Sequence, residues 1–237
     1  MKRIIKISLI LLLVGMAVIA AVPFFKEKRT ERKYENEFKN IQESVTEKKS
    51  DVNGLVKKNK DCIGYVEIPG TTISYPVMQT KDNPDFYLNH DFNRNYSFYG
   101  TPYLSAYCDV KKSDSLIIYG HNINGGEMFG ALEKYKDKEF FNKHRKIYFT
   151  TDKKREYEVF AVMSVNVYEF QYWESVMARN EEEYEEFVDK VAEKSLWKTG
   201  DKPRYGGQIL MLSTCDNGRG DDWRIVVIGR NIMSECV

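Results

Sequence analysis

Gln208-Ile-Leu-Met-Leu-Ser-Thr-Cys215 is an apolar run that ends on a thiol. Asp216-Asn-Gly-Arg-Gly-Asp-Asp222 follows as a polar loop, and Arg224-Ile-Val-Val-Ile228 then resumes the apolar pattern. Two such runs around a Gly- and Asp-rich loop read as strands of an antiparallel hairpin. In that hairpin Cys215 pairs with Arg224, Thr214 with Ile225 and Ser213 with Val226, and cross-strand partners project from one face. Arg230 shares the parity of Arg224 but lies roughly 20 Å further along at ~3.3 Å per residue, opposite Ile209. A Cys at a strand end facing a loop is accessible, whereas most free cysteines are buried packing residues.

Working outward, further short strands are predicted at Cys62–Ile68, Thr72–Val77, Thr101–Ala106, Ser115–Tyr119, Lys146–Thr150 and Glu156–Val165. Eight short strands punctuated by Gly and Pro, with few helices, predict a mainly β fold, an antiparallel barrel or sandwich. Short helices are expected at Glu127–Tyr135 and Asp137–Asn142. A longer one begins after Asn180, an N-cap followed by Glu181, Glu182 and Glu183, with Tyr184, Phe187, Val188, Val191 and Ala192 at helical spacing. It falls between the sixth and seventh strands.

The first 60 residues differ in kind. The uncharged run Ile7–Phe25 would rise roughly 28 Å as a helix, enough to span a bilayer. Lys2, Arg3 and Lys6 precede it, so the positive-inside bias places the amino terminus in the cytoplasm and the rest of the chain outside. A cleaved signal peptide is the other reading, Val18-Ile19-Ala20 offering small residues for cleavage. Residues 26–60 are heavily charged, yet Tyr34, Phe38, Ile41 and Val45 form one helical stripe, so a helical stalk ending near Asn53-Gly54 is expected. The chain thus divides into a tip and anchor at 1–25, a stalk at 26–60 and a catalytic or binding domain at 61–237.

Charge excludes one class of function. The formal net charge is +1, but residues 61–237 carry 22 basic against 28 acidic side chains. Phosphate binding needs clustered Lys and Arg to displace counterions, so nucleic acid is set aside. Cys62, Cys108, Cys215 and Cys236 are irregularly spaced in a domain too large to need disulfide staples. No CxxC or Cys/His cluster suggests a metal, and Asp216, Asp221 and Asp222 lack the spacing of a calcium loop, so no metal or other cofactor is implied. His90 and His144 sit among polar residues and receive no role. Arg219-Gly-Asp221 is a chance tripeptide in a polar loop. The strand Leu116-Ile-Ile-Tyr-Gly120 delivers His121 to its end, which gives Cys215 a His and an Arg as company.

Leu212-Ser-Thr-Cys215 with Arg224-Ile-Val-Val nine residues on, together with Tyr119-Gly-His-Asn122, resembles the sortases, membrane-anchored cysteine transpeptidases of Gram-positive cell surfaces. The inserted helix, the stalk, Ile68-Pro-Gly-Thr-Thr-Ile-Ser-Tyr-Pro-Val77 and Tyr87-Leu-Asn-His-Asp-Phe92 resemble class B sortases in particular, over about residues 55–230. Tyr65 stands where Trp is frequent in that class. The resemblance implies an eight-stranded sortase-type β-barrel with an N-terminal helix, a sorting-signal peptide as substrate, and an amine acceptor from a cell-wall precursor or a pilin lysine. It also implies roles. Cys215 would attack a backbone carbonyl and form a thioacyl intermediate, His121 would act as acid and then base, and Arg224 would steady the oxyanion. The Asp216 N–H is a candidate second oxyanion donor, and Ser213, Leu88, Tyr172 and Trp173 are candidate peptide contacts.

Two other readings stay open on the residues alone. An extracellular cysteine peptidase of the papain type places Cys before His along the chain, the reverse of His121 and Cys215, and the Ser-His-Gly-Cys element of L,D-transpeptidases is absent. A membrane-anchored, non-catalytic binding module would treat the Cys, His and Arg as coincidence.

Overall fold

The computed structural model describes residues 52–176 and 180–232, residues 18–26, and scattered positions among the first 39. The chain forms two compact units, Met1–Ser44 and Val45–Val237. In the first, residues 18–26 are helical and expose Val18, Ile19, Val22, Phe24 and Phe25. Among the described residues no helix is long and apolar enough to cross a membrane. The span expected over Ile7–Phe25 lies partly outside the described residues, and the stripe Tyr34, Phe38, Ile41 and Val45 lies wholly outside them.

The second unit opens with α1 (Val52–Lys58), which runs through the Asn53-Gly54 pair where the sequence suggested an end. Burial explains the continuation: Val52 and Leu55, one turn apart, both face inward. Eight strands then close a barrel: β1 (Cys62–Glu67), β2 (Ser74–Met78), β3 (Tyr103–Leu104), β4 (Ser115–Tyr119), β5 (Lys146–Thr150), β6 (Lys154–Asn166), β7 (Ile209–Cys215) and β8 (Trp223–Asn231). Their order around the barrel is β1-β2-β3-β4-β7-β8-β6-β5. The mainly β, eight-stranded barrel is therefore as expected, with one correction. The barrel is mixed rather than antiparallel, because β2 pairs with β3 and β4 with β7 in parallel. A parallel pair requires a long crossover. Between β4 and β7 that crossover contains β5, β6 and the helices.

Strand β7 is flanked by β4 and β8, and Ile209, Leu210, Met211 and Leu212 are fully enclosed. That explains a continuous apolar run instead of an alternating one. Each such side chain contributes roughly 1.5–3 kcal/mol over its exposed state. β6 is the longest strand, and its register against β8 shifts between Val159 and Ala161. A bulge there bends the strand, as barrel closure demands.

Three helical segments decorate the crossovers. A 3-10 turn covers Gly130–Lys136, and α2 (Lys138–Lys143) follows it, its N-cap Asp137 accepting from the Phe140 N–H at 2.7 Å. α3 (Glu181–Lys194) starts at Asn180, whose side chain accepts from the Glu183 N–H at 2.9 Å. It buries Tyr184, Val188 and Val191 and lies between β6 and β7, as the sequence indicated. Two further 3-10 turns, Phe86–Leu88 and Tyr172–Val176, border the end of the barrel where β4 and β7 finish.

Candidate active site

The parallel pair β4 and β7 aligns Tyr119 with Ser213, and the Gly120 N–H continues the ladder to the Ser213 carbonyl at 3.1 Å. His121 and Cys215, each two residues beyond that pair, therefore leave the barrel side by side. A side chain at Gly120 would collide with the Phe129 ring, so the strand can end in this way only with glycine there. On the other flank of β7, β8 runs antiparallel with Cys215 opposite Arg224, Thr214 opposite Ile225, Ser213 opposite Val226 and Ile209 opposite Arg230. That is the register the sequence implied. Three neighbouring strand ends thus carry a thiol, an imidazole and a guanidinium.

His121 is held from the side by the Phe86–Leu88 turn, its Nε2 lying 2.8 Å from the Leu88 carbonyl oxygen. A carbonyl only accepts, so Nε2 carries the proton and Nδ1 is the nitrogen left for chemistry. The exposed Phe98 ring lies parallel to the imidazole, centroids 6.4 Å apart. Asn122, next in sequence, donates from Nδ2 to the Cys215 carbonyl at 2.7 Å and to Glu133 Oε1 at 2.9 Å. The strand end bearing the imidazole is thereby tied to the one bearing the thiol.

Cys215 is half-buried and free, while Cys62 and Cys108 are free but fully buried. Burial pushes the Cys62 thiol up to about 11 and raises that of Cys108, so both stay protonated at neutral pH. Cys236 lies outside the described residues. Arg224 donates from Nη1 to the carbonyls of Asp221 at 2.6 Å and Trp223 at 2.9 Å. Neutral oxygens aim the guanidinium without cancelling its charge. Of the chance Arg-Gly-Asp tripeptide, Arg219 is spent locally, its guanidinium lying 3.6 Å above the Trp223 ring.

The candidate peptide contacts separate into two groups. Ser213 and Tyr172 are 1% and 2% exposed and share a hydrogen bond of 2.7 Å between their hydroxyls. Burial raises the Tyr172 phenol, against the effect of that hydrogen bond and of Arg224. Trp173, 37% exposed, packs edge-on against Tyr172 with centroids 5.3 Å apart. Leu88 is half-buried and meets His121 through its carbonyl. A groove of about 540 Å³ opens between the Tyr172–Val176 turn and α3, lined by Tyr168, Phe170, Glu174, Tyr184 and Phe187 among others.

Asp216 departs from its expected role. Its N–H donates to the Trp223 carbonyl at 2.9 Å, because the β7–β8 ladder runs one residue past Cys215, and that donor is not directed at a substrate oxygen. Its carboxylate is fully enclosed and accepts from Lys136 Nζ and Ser164 Oγ, both at 2.6 Å. Although burial opposes ionisation, those hydrogen bonds and the Lys136 charge hold the carboxyl below the ordinary carboxylate range. Asn122, Glu133, Lys136 and Ser164 were not singled out by sequence reasoning. Asn122 belonged to the quoted Tyr119-Gly-His-Asn122 motif; Glu133 and Lys136 are spaced as an ordinary i,i+3 ion pair, and the contacts that bring Lys136 and Ser164 to Asp216 join residues far apart in the chain. Elsewhere, His144 is buried, with Nδ1 2.9 Å from the Pro69 carbonyl, and has a packing role. Among the described residues no group of three or more His, Cys, Asp or Glu side chains is placed to hold a metal ion.

Comparison with known proteins agrees with this geometry. A family model described as the sortase domain matches residues 66–232. The chain is 32% identical to sortase B of Listeria monocytogenes over 191 residues, 78% of this chain and 75% of the relative. The crystal structure of Clostridium perfringens sortase B superposes with a TM-score of 0.71 at 31% identity, covering 76% of this chain and 98% of that one. A Staphylococcus aureus sortase B–substrate complex superposes with a TM-score of 0.78 at 26% identity, covering 85% and 97% of the two chains.

Proposed function

Because this chain belongs to the sortase family, and to its class B branch, we propose that Cys215, His121 and Arg224 are the catalytic groups of its transpeptidase reaction. The observation that carries this reading is the register. Cys215 lies between the strand end that bears His121 and the strand start that bears Arg224.

Sulfur of the Cys215 thiolate adds to a backbone carbonyl carbon of the sorting signal, and Arg224 stabilises the oxygen as it takes up negative charge. His121 Nδ1, having taken the proton of the Cys215 thiol while Nε2 stays bonded to the Leu88 carbonyl, gives that proton to the departing amine as the carbon–nitrogen bond breaks, which leaves a thioester on Cys215. An acceptor amine then attacks the thioester and returns a proton to His121. The carbon–sulfur bond breaks and the thiolate is restored. A lysine in the planar Arg224 position would lack the fork of donors that meets an oxyanion and a neighbouring carbonyl together. Acyl transfer of this kind needs no redox or metal chemistry. The acceptor is a primary amine of a cell-wall precursor or a pilin lysine. The Trp173 face and the Leu88 turn flank the peptide, and the buried Ser213–Tyr172 pair supports the floor beneath it.

The uncharged run Ile7–Phe25, with Lys2, Arg3 and Lys6 before it, supports a single-pass anchor that leaves residues 61–237 on the outer side of the membrane. The charged segment that begins at residue 26 would then form the linking stalk, up to α1 (Val52–Lys58), whose Val52 and Leu55 are already buried in the second unit.

The test is transfer rather than cleavage alone. Purified full-length protein is incubated with fluorogenic sorting-signal peptides, with and without a small primary amine. The reading predicts an amide product that grows with amine concentration. Only hydrolysed product at saturating amine would assign a peptidase instead, and no turnover of any sorting peptide would leave a binding module.

A further inference from the structure

Behind the nucleophile lies a chain of polar contacts that the reaction above does not use. Asn122 Nδ2 bridges the Cys215 carbonyl and Glu133 Oε1. Lys136 Nζ lies 2.5 Å from Glu133 Oε2 and 2.6 Å from Asp216 Oδ1, and Ser164 Oγ donates to Asp216 Oδ2 at 2.6 Å. Asp216 follows Cys215 directly, and its side chain is fully enclosed. An anion in that place would repel a thiolate on the adjacent residue unless a cation cancels it, since charges interact strongly where water is excluded.

We propose that Lys136 is a positioning residue for the nucleophile. It neutralises the carboxylate enclosed behind Cys215, which keeps the thiolate accessible, and it ties the end of β7 to the turn that orients Asn122. The proposal rests on Cys215 being the nucleophile. It adds a cause for the reactivity of that thiol that lies outside the three catalytic groups.

Geometry favours Lys136 over its neighbours. The titratable and charged groups around this corner include His121 from the end of β4, Glu133 and Lys136 from the 3-10 turn, and Tyr172 from its own turn. The β7–β8 loop adds Asp216, Arg219 and Asp221, and β8 adds Arg224. Arg224 binds loop carbonyls and Arg219 stacks on Trp223, whereas Lys136 alone of these cations forms an ion pair with Asp216. Burial works against charge on Lys136, yet hydrogen bonds and attraction from Asp216 and Glu133 outweigh it and hold the ammonium above its usual range. The pair therefore stays ionised across the pH range in which a thiol titrates.

The experiment reads the thiol itself. The pH dependence of Cys215 alkylation by iodoacetamide is followed on the full chain by peptide mass spectrometry, which separates Cys215 from the buried cysteines. Lys136→Met should move the midpoint up by about one pH unit, Asp216→Asn should move it down, and the double variant should return close to the wild-type value. Lys136→Arg should keep the wild-type midpoint. Opposite signs in the two single variants are the decisive feature, and Asp216→Asn tests the coupling even where Lys136→Met folds poorly. Unchanged midpoints with reduced turnover, or shifts of the same sign in both, would overturn the proposal and leave Lys136 as a structural strut. Turnover by Cys215→Ala would instead break the nucleophile assignment, and the thiol titration would still report on the coupling.

Discussion

Strand β8 carries an arginine near each end, and the two have opposite surroundings. Arg230 donates to Glu158 Oε2 at 2.8 Å, and Glu158 also faces Arg145, which reaches Asp201 at 3.1 Å. Arg224 has the same parity on the strand, but its hydrogen bonds go to the neutral carbonyls of Asp221 and Trp223, and its cross-strand partner is Cys215. A guanidinium paired with carboxylates has its charge cancelled within the fold. One aimed by carbonyls keeps it for a charge that appears during reaction. Residue type and strand parity do not separate a catalytic arginine from a structural one; the formal charge of its partners does.

Removing the imidazole should cost most at the site end. His121→Ala is expected to lower kcat/KM by about 10³-fold, because the leaving amine loses its proton donor, and near-normal turnover would exclude His121 as the acid. Arg224→Lys should cost roughly 10–100-fold in the rate of peptide turnover with an unchanged melting temperature. Arg230→Lys should leave the rate within about 2-fold while lowering stability by ~1 kcal/mol. Kinetics and melting curves for the two lysine variants, measured side by side, break the comparison if the larger rate loss belongs to Arg230→Lys.

A smaller effect is expected one layer back, where a backbone carbonyl steers His121. Gly100 has φ +58°, and a side chain there would collide with the Leu88 and Tyr87 carbonyl oxygens. Gly100→Ala should displace the Leu88 carbonyl from the imidazole. It should lower kcat by several-fold with little change in KM, beside a stability loss of ~1 kcal/mol. A fall in melting temperature with kcat untouched would show that the Leu88 contact does not orient His121. Smallest of all should be the response to thiol reagents at pH 7 of Cys62 and Cys108, which burial keeps protonated. Cys215 should label first, and faster modification of Cys62 in the native state would contradict its enclosure.

Much of this contrast is written locally in the chain. The β7–β8 register follows from counting across one loop, and it places Arg224 against Cys215 and Arg230 against Ile209 without knowledge of any other strand. The limits of β4 and β5 and the Asn180 cap of α3 follow from short-range patterns as well. What was not legible depends on partners distant in sequence. Hydrophobic alternation says that a strand exists but not which neighbour it takes, so an antiparallel barrel or sandwich is expected where β4 with β7 and β2 with β3 in fact pair in parallel. The Asp216 carboxylate looked like a loop group because Lys136 and Ser164, 80 and 52 positions away, are invisible to local reading, whereas its N–H, taken by Trp223, follows from carrying the hairpin register one residue past Cys215. The hydroxyls of Ser213 and Tyr172 face each other by the same kind of long-range closure.

The central claim is that Cys215, between His121 and Arg224, carries the acyl group. Its most direct measurement is the mass of the full-length protein during turnover of a sorting-signal peptide without added amine, followed by proteolysis to locate any adduct. The account predicts an acyl mass on the peptide containing Cys215, discharged by a primary amine and absent from Cys215→Ala, which should not turn over at all. Turnover with no adduct on Cys215, or sustained turnover by Cys215→Ala, would contradict it.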